Sequence, residues 1–240
     1  MLRVSVLGAG SSYPPPGFAG PCIMVEHGDS RLLVDAGESC ASRLGLHGIR
    51  PCEIENVYVS HLHIDHWAGL HSIAIGRVAS GCKGGMRIIA PWLGEEPVPE
   101  GLAILEDRGH ATLTRETPSI GGALIEPVRV RYTVATYGLR ISSGGRSVFY
   151  TSDTMFYDGL VEEARGVSLL IAEATLPGDV DPVEAGMHMR VADALRLARA
   201  SGAGILGLVH LSPASLGEAR KTLRVEGLVL LVGEGYTVAL

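Results

Sequence analysis

The first half of the chain consists largely of short apolar segments that alternate with polar positions and end at glycine or other turn residues. Residues 2–8 alternate in this way and end at Gly8-Ala9-Gly10, which predicts a strand that runs into a glycine turn. Residues 22–26 and 31–35 predict two further strands, joined by the turn residues Gly28-Asp29. This half therefore begins as a series of short strands joined by turns.

Two further strand patterns predict another sheet region in the second half. Residues 128–134 place apolar side chains at alternate positions and predict a half-buried strand, with Arg129 and Arg131 on its polar face. Residues 139–142 and 147–151 flank a Ser-Gly-Gly turn and predict a hairpin. We expect this hairpin to carry the residues that follow it to the edge of the sheet.

Continuous apolar runs at residues 167–172 and 204–209 predict strands that are covered on both faces. Residues 191–198 carry one apolar stripe at helical spacing. Functional side chains of α/β proteins gather where strands end. The polar residues that directly follow predicted strands here are Asp153, Glu173 and His210.

Residues 59–70 hold three histidines and an aspartate within six positions, namely His61, His63, Asp65 and His66. A strand pattern precedes this segment and a helical pattern follows it from residue 67. His61 and His63 are two positions apart in an extended segment, so their side chains point the same way and can share one cation. Asp65 and His66 follow where the chain bends and can face a second cation. Imidazole and carboxylate are ligands that Zn²⁺ prefers, so the sequence predicts a zinc site.

The motif His61-x-His63-x-Asp65-His66 resembles the signature of the metallo-β-lactamase superfamily, most closely its tRNase Z-like (RNase Z) branch. The resemblance covers nearly the whole chain, because further motifs before and after this one stand in that family's order: residues 4–7, 32–38, 152–154, 172–175, His188 and 209–212. It implies an α/β fold, the αββα sandwich. Two mostly antiparallel or mixed β-sheets then lie face to face with helices outside, and the metal site sits at one edge between them.

The resemblance also implies a set of metal ligands: His61, His63, Asp65, His66, Asp153 and His210. The first two would belong to one ion, the next two and His210 to another, and Asp153 would bridge both. Two zinc ions would polarise a phosphoryl oxygen and lower the pKa of the water between them, which supplies metal-bound hydroxide. Asp65 counts here as a catalytic residue as well as a ligand.

Two further residues are implied to act in catalysis, Glu173 and His188. In tRNase Z-like enzymes such a pair holds and protonates the leaving oxygen of the phosphodiester. The chemistry needs a proton donor opposite the nucleophile and a carboxylate that keeps the imidazole charged. Asp35 is expected to support the metal loop without binding metal.

The chain departs from the family pattern in two places. No histidine lies between His110 and His188, and the position of the family's third histidine falls at Tyr132 or a neighbour. The first metal therefore lacks a ligand, which predicts one tightly held zinc rather than two. The stretch from Tyr132 to Asp153 leaves room for one hairpin only, so the long tRNA-binding arm of the family is absent from the pattern.

Composition adds constraints on class and compartment. The 240 residues are 46% apolar, which suits a single domain over residues 1–240. The net charge of −6 argues against nonspecific coating of nucleic acid. The chain shows no apolar stretch of membrane-spanning length and no leader pattern, so a cytoplasmic protein without membrane contact is expected.

The four cysteines form no C-x-x-C pair, so free buried thiols are expected unless the source is a hyperthermophile. The chain has no glutamine and a single asparagine, Asn56. Scarcity of thermolabile amides indicates a thermophilic source.

These observations favour a zinc-dependent phosphodiesterase that acts on a small-molecule, nucleotide or RNA phosphodiester. A tRNA 3′-processing endonuclease is a second hypothesis, and hydrolysis of another ester or a lactone also stays open. A non-catalytic binding subunit with a degraded metal site is the alternative from another class. The presence of Glu173 and His188 argues against that alternative, if only catalysis needs them. A homodimer stays open as well.

Overall fold

A computed structural model describes residues 1–222 and 227–240 and shows two β-sheets with helices on their outer faces, which confirms the predicted α/β sandwich. The strands in chain order are β1 (Leu2–Gly8), β2 (Cys22–His27), β3 (Ser30–Ala36), β4 (Asn56–Tyr58), β5 (Met86–Ile89), β6 (Ala111–Thr114), β7 (Leu124–Arg129), β8 (Tyr137–Ser143), β9 (Arg146–Tyr150), β10 (Leu169–Glu173), β11 (Ile205–Val209), β12 (Val229–Val232) and β13 (Tyr236–Ala239). The helices are α1 (Cys40–Leu46), α2 (Leu70–Ala79), α3 (Glu100–Asp107), α4 (Asp158–Glu163), α5 (Val191–Ser201) and α6 (Pro213–Lys221).

Both sheets are mixed, and each has an antiparallel and a parallel part. The first runs in the order β13-β1-β2-β3-β4-β5-β6, with parallel pairing from β3 to β6. The second runs in the order β12-β11-β10-β9-β8-β7, with parallel pairing from β9 to β12. Parallel strands of one sheet end at a common edge, so the side chains that follow β9, β10 and β11 lie at one edge of the second sheet. Those that follow β4 lie at the end of a parallel strand of the first sheet, and the two sets can meet between the sheets.

The core has three layers, because strand residues alternate between two covered faces. On β3, Leu32 and Val34 face the second sheet, and Leu33 faces the cluster that includes residues of α1, α2 and α3. On β10, Leu169 and Ile171 lie between the sheets. The alternate residues of β10 pack against α4, α5 and α6. This layering explains why β10 and β11 read as continuous apolar runs.

The strand predicted over residues 128–134 is wrong beyond Arg129, where β7 ends. The backbone of the following residues finds partners outside a sheet ladder. The Val130 amide donates to the Thr136 carbonyl (3.1 Å), the Arg131 carbonyl accepts from the Met155 amide (3.2 Å), and the Ala135 amide donates to Glu96 (2.9 Å). The apolar alternation instead places Val130 in the core and carries Tyr132 into the site described below.

The expectation of free thiols is also wrong, because the four cysteines form two disulfides. Cys22 pairs with Cys40 and Cys52 with Cys82, with Cα–Cα distances of 5.6 and 5.3 Å that suit a disulfide. Eighteen and thirty residues separate the partners, so sequence spacing carried no signal for the pairing. Each bridge joins segments that lie apart in sequence and meet only in the folded protein.

No helix within residues 1–222 and 227–240 is long and apolar enough to cross a membrane. The assignment of residues 1–240 to one domain stays a prediction.

Candidate metal centre

The metal loop follows β4 and is pressed against the end of β3. His61 and His66 are buried, and one 3₁₀ turn over residues 64–66 leads into the start of α2. A Cβ atom on Gly37 would lie 2.3 Å from the Asp65 carbonyl oxygen, and one on Gly69 would lie 2.3 Å from the Gly37 carbonyl oxygen. Only glycine permits this close approach of two backbones, so these two positions determine how closely the metal loop packs against the end of β3.

Five of the six predicted ligands converge at this edge. The His66 Nε2 atom lies 3.4 Å from Asp153 Oδ1 and 3.8 Å from Asp65 Oδ2. The His210 Nε2 atom lies 3.2 Å from Asp65 Oδ2 and 3.5 Å from Asp153 Oδ1. The His61 Nε2 atom lies 3.6 Å from Asp153 Oδ2. Ligand atoms of His61, His66 and Asp153, and those of Asp65, His66 and His210, lie within 4.8 Å of one another.

The sixth predicted ligand, His63, lies outside these groups of closely spaced ligand atoms. Its half-buried ring stands edge-on to the His61 ring, with 4.8 Å between centroids. The Tyr132 ring lies 5.3 Å from both His61 and His63. Tyr132 therefore occupies the neighbourhood in which the sequence expected a third histidine.

A buried carboxylate orients the imidazoles of the metal loop. Asp35 Oδ2 accepts a hydrogen bond from His66 Nδ1 (2.8 Å), from the Ser60 hydroxyl (2.9 Å) and from the Tyr150 hydroxyl (2.8 Å). The Ser60 hydroxyl in turn accepts from His61 Nδ1 (3.1 Å). Both rings thus keep their proton on Nδ1 and present Nε2 to the centre, as ligands supported from behind do. This matches the supporting role expected for Asp35.

A second buried carboxylate acts in the same way from the other sheet. Glu173 Oε2 accepts from the Thr175 hydroxyl (2.7 Å), which accepts from His210 Nδ1 (2.7 Å). Glu173 Oε1 accepts from His188 Nδ1 (2.8 Å) and from the Thr154 amide (2.9 Å). Glu173 therefore holds the predicted acid and also one of the predicted ligands. Sequence reasoning missed Thr175 and Tyr150, although Thr175 stood within the motif at residues 172–175.

The donor atoms at the centre fit a cation. His61 Nε2, His66 Nε2 and Asp153 Oδ1 are buried without a hydrogen-bond partner among the described residues. Unpaired buried polar atoms are rare and expensive, and three that converge on one point are explained by an ion. Imidazole nitrogen with carboxylate oxygen is a donor set that binds divalent transition metals, zinc among them.

Electrostatics at the centre also favour bound positive charge. Burial opposes the charge of His66, but the Asp153 and Asp35 carboxylates outweigh burial and raise the pKa of its imidazole well above the usual range. Burial likewise opposes the charge of Asp153, yet the surrounding His210 and His66 hold its pKa well below the usual range. For His61, burial and the neighbouring His66 lower the pKa. The carboxylates therefore draw a proton onto a histidine where no metal ion offsets them.

Three residues at the centre adopt backbone conformations that side chains rarely take. Asp35, Ser152 and His210 each have φ of 54°, in the left-handed region. Asp35 is the penultimate residue of β3, Ser152 lies two residues beyond β9, and His210 directly follows β11. Such strain persists where the surrounding structure enforces it, commonly at functional sites.

His188 lies at the centre beside Tyr132 and His210. Its Nε2 atom lies 2.9 Å from the Tyr132 hydroxyl, and its ring stacks on that of His210 with 5.4 Å between centroids. A ligand atom of His188 also lies within 4.8 Å of those of Asp153 and His210. Burial lowers its pKa, but Glu173 raises it more, and the net pKa is about 9.

A small cavity of about 190 Å³ opens beside the centre and reaches Asp65. Larger cavities of about 370 and 500 Å³ share Glu55 and Asn56, at the opposite end of β4. Among the described residues, none of the groups that could hold a metal lies there. We therefore place the site at the smaller opening, where the ligand atoms converge.

Comparison with known proteins agrees with this geometry. A family model described as a β-lactamase superfamily domain matches residues 30–211. The chain is 29% identical to the probable metallo-hydrolase YhfI of Bacillus subtilis (strain 168), over 88% of this chain and 87% of that protein. It is 30% identical to the ribonuclease Z of Pyrobaculum arsenaticum (strain DSM 13514 / JCM 11321 / PZ6), over 92% of this chain and 90% of that protein.

Solved structures show the same fold. The crystal structure of YhfI from Bacillus subtilis superposes with a TM-score of 0.86 at 25% identity, covering 99% of this chain and 98% of that one. The short form of human tRNase Z superposes with a TM-score of 0.75 at 19% identity, with the same coverage, and supports the fold alone. The chain therefore belongs to the metallo-β-lactamase superfamily, as its motifs predicted, and is related to ribonuclease Z.

Proposed function

We propose that this protein is a zinc-dependent hydrolase that cleaves a phosphodiester. The observation that carries the proposal is the position of His188. A carboxylate holds its imidazole at 2.8 Å, and the ring lies beside two candidate metal ligands, Asp153 and His210. Hydrolysis at a metal site is assisted by a proton donor that lies next to the ion without being one of its ligands. We assign that role to His188.

His61, Asp65, His66, Asp153 and His210, whose ligand atoms converge, would hold the metal, and His63 stays a predicted ligand beside them. Zinc, when bound, polarises a phosphoryl oxygen and lowers the pKa of a water molecule toward neutrality. Asp65 retains a partly exposed carboxylate at the mouth of the cavity and would orient the attacking water. His188, kept charged by Glu173, would donate its Nε2 proton to the leaving oxygen. The Tyr132 hydroxyl, 2.9 Å from that nitrogen, would keep the ring in place.

The related ribonuclease Z proteins supply a second candidate, tRNA 3′ processing, at 30% identity. The hairpin between Tyr132 and Asp153 bears on this candidate. β8 and β9 are joined directly by Gly144-Gly145, so no extended arm is inserted there. A small nucleotide or short RNA phosphodiester is therefore our preferred substrate class.

The test compares two substrates in wild type and His188→Ala, after zinc loading and at elevated temperature. An unactivated phosphodiester needs protonation of its leaving oxygen, so its turnover should fall about 10²–10⁴-fold. Bis(p-nitrophenyl) phosphate has a good leaving group and should lose much less. The metal content should stay the same in both proteins.

Equal losses on the two substrates would rule out the acid role of His188. Absence of turnover of either substrate by zinc-loaded wild type would instead favour a non-catalytic metal-binding subunit.

A further inference from the structure

The cavity of about 190 Å³ beside the metal centre, called the side cavity from here on, is lined mainly by small and apolar residues: Ser11, Ser12, Pro14, Gly20, Ile64 and Ala68. The other two lining residues are Asp65 and Glu38. Asp65 is also one of the candidate ligands whose donor atoms converge at the centre. A molecule bound at the metal can therefore extend into the side cavity.

The metal loop contributes an exposed apolar side chain to this cavity. Ile64 stands between two predicted ligands, His63 and Asp65, and is 65% exposed. Together with Pro14 and Ala68, both partly buried, it forms an apolar wall. Apolar surface that adjoins a polar centre is typical of a ligand-binding site, and a ligand that covers it removes that surface from water.

The loop between β1 and β2 forms the opposite part of the wall and is fixed at both ends. The Ser11 amide donates to the carbonyl of Leu211 (3.0 Å), the residue that follows His210. The Gly20 amide donates to the Glu38 carbonyl (3.0 Å). The side cavity is therefore formed before a ligand enters, so binding there costs little ordering of the protein.

The charges at the side cavity are negative. Among the described residues, those that line it include two carboxylates and no basic side chain. Glu38 is exposed and takes part in none of the ion pairs that the described residues form. An anionic group would meet this unneutralised carboxylate, and like charges in contact oppose binding. The cavity therefore suits an uncharged group.

The volume of the side cavity limits what it can hold. Pockets that enclose a whole drug-sized molecule begin at about 300 Å³. At about 190 Å³ the side cavity holds only part of a ligand, while the rest lies at the metal centre or in solvent.

We propose that the side cavity binds one ester substituent of the phosphodiester, a small uncharged group such as a short alkyl chain or a single ring. Ile64 is its apolar contact, and Glu38 disfavours anionic substituents. The inference rests on the proposed phosphodiesterase function. It adds that the substrate carries a small neutral group on this side of the scissile phosphate rather than a further phosphate.

The first test measures binding to zinc-loaded protein by calorimetry, so it needs no turnover. The probes are methyl, ethyl, n-propyl and n-butyl phosphate, whose phosphate group can bind at the metal. Each added methylene should tighten binding by wild type about threefold, close to the worth of one buried methylene group. Ile64→Ala should lose most of this increment. Ile75→Ala truncates a similarly exposed isoleucine on α2 and should keep it.

The second test isolates the charge of Glu38. n-Butyl phosphate is compared with 3-carboxypropyl phosphate, which has the same chain length and ends in a carboxylate. Wild type should prefer n-butyl phosphate, and Glu38→Gln should narrow the preference about threefold, because a single exposed charge has a modest effect. Glu55→Gln, at the opposite end of β4, removes the same charge and should leave the preference unchanged.

A purely structural role of Ile64 would have a different signature. Ile64→Ala would then lower the zinc content or weaken binding of all four alkyl phosphates by the same factor. The increment per methylene would not change. The proposed contact instead predicts an unchanged zinc content, nearly unchanged affinity for methyl phosphate and a clear loss for n-butyl phosphate.

Equal affinity of wild type for the four alkyl phosphates, absence of binding by n-butyl phosphate at millimolar concentration, or the full increment in Ile64→Ala would overturn the inference. Each of these results would leave hydrolysis of bis(p-nitrophenyl) phosphate, and so the proposed function, untouched. Conversely, an increment that Ile64→Ala removes, in a protein that hydrolyses no diester, would support the side cavity as a binding site and contradict the hydrolase.

Discussion

Two hydroxyl groups link buried carboxylates to imidazoles that face the metal centre. Ser60 connects Asp35 to His61 at the end of the first sheet's strands, and Thr175 connects Glu173 to His210 at the end of the second's. Glu173 therefore supports a metal ligand as well as His188. The sequence had led us to expect that the presence of Glu173 would separate an enzyme from a metal-binding subunit. Because Glu173 also supports a metal ligand, its presence alone does not do so.

Thr175 provides the first test at this scale. Thr175→Val keeps the shape but leaves His210 Nδ1 without an acceptor, so the zinc dissociation constant should rise about 10–100-fold. Thr175→Ser keeps the hydroxyl and should stay near wild type. Competition with a chromogenic chelator measures both, with Thr112→Val on the exposed face of β6 as the matched control. A change within twofold for Thr175→Val would remove the hydroxyl from the support of the site.

The protonation of His188 provides the second test at the residue scale. Burial lowers its pKa but Glu173 raises it more, so in metal-free protein the imidazole should titrate at a pKa of about 9. In Glu173→Gln, burial acts without the carboxylate, and the pKa should fall below 6.5. NMR titration of the imidazole resonances measures both values. A wild-type pKa at or below 6.5 would contradict the charged His188.

The same shift has a defined effect on stability. A pKa raised from 6.5 to about 9 means that proton binding favours the folded state. This contribution is fully present below pH 6.5 and is lost as the pH rises through 9. Above that, His188 is neutral in both states.

At the scale of elements, alternation and apolar runs predicted most strands, because β1, β2, β3, β10 and β11 bury their side chains in regular register. The segment after β7 was missed because its backbone partners come from distant loops, through Glu96 and Met155. Such partners leave no local signal in a sequence. The disulfides were missed for the same reason, since only the folded chain brings their cysteines together.

The bridge between Cys52 and Cys82 belongs to this scale. It ties the turn before β4 to the segment after α2 and closes a loop across 30 residues of sequence separation. The double variant Cys52→Ala/Cys82→Ala should lose about 3 kcal/mol of unfolding free energy, the usual worth of such a loop. Guanidinium unfolding under oxidising conditions measures it. Turnover at 25 °C should persist, because the bridge lies at the opposite end of β4 from the metal loop. An unchanged unfolding midpoint would show that the bridge does not stabilise the fold.

At the scale of the whole molecule, the centre exists only where the two sheets meet. Asp65 and His210 lie 145 residues apart in sequence, yet their side chains are 3.2 Å apart. The metal loop could be recognised from local spacing alone. The pairing of Asp153 and His210 with that loop came from the order of motifs in a resembling family, because nothing local specifies which strand ends meet. The contribution of Tyr132 depended on the loop conformation, which the sequence pattern misassigned as a strand.

The central claim is that one metal ion held at this centre makes the protein a phosphodiesterase. The direct measurement is the rate of bis(p-nitrophenyl) phosphate hydrolysis as zinc is added stepwise to chelator-treated protein, with bound metal determined in parallel. Because Tyr132 stands near the place of a third histidine for the other ion, we expect the rate to rise with the first equivalent and to plateau near it. A rise that requires two tightly held ions would contradict the single-ion centre, and no hydrolysis at any zinc level would contradict the enzyme.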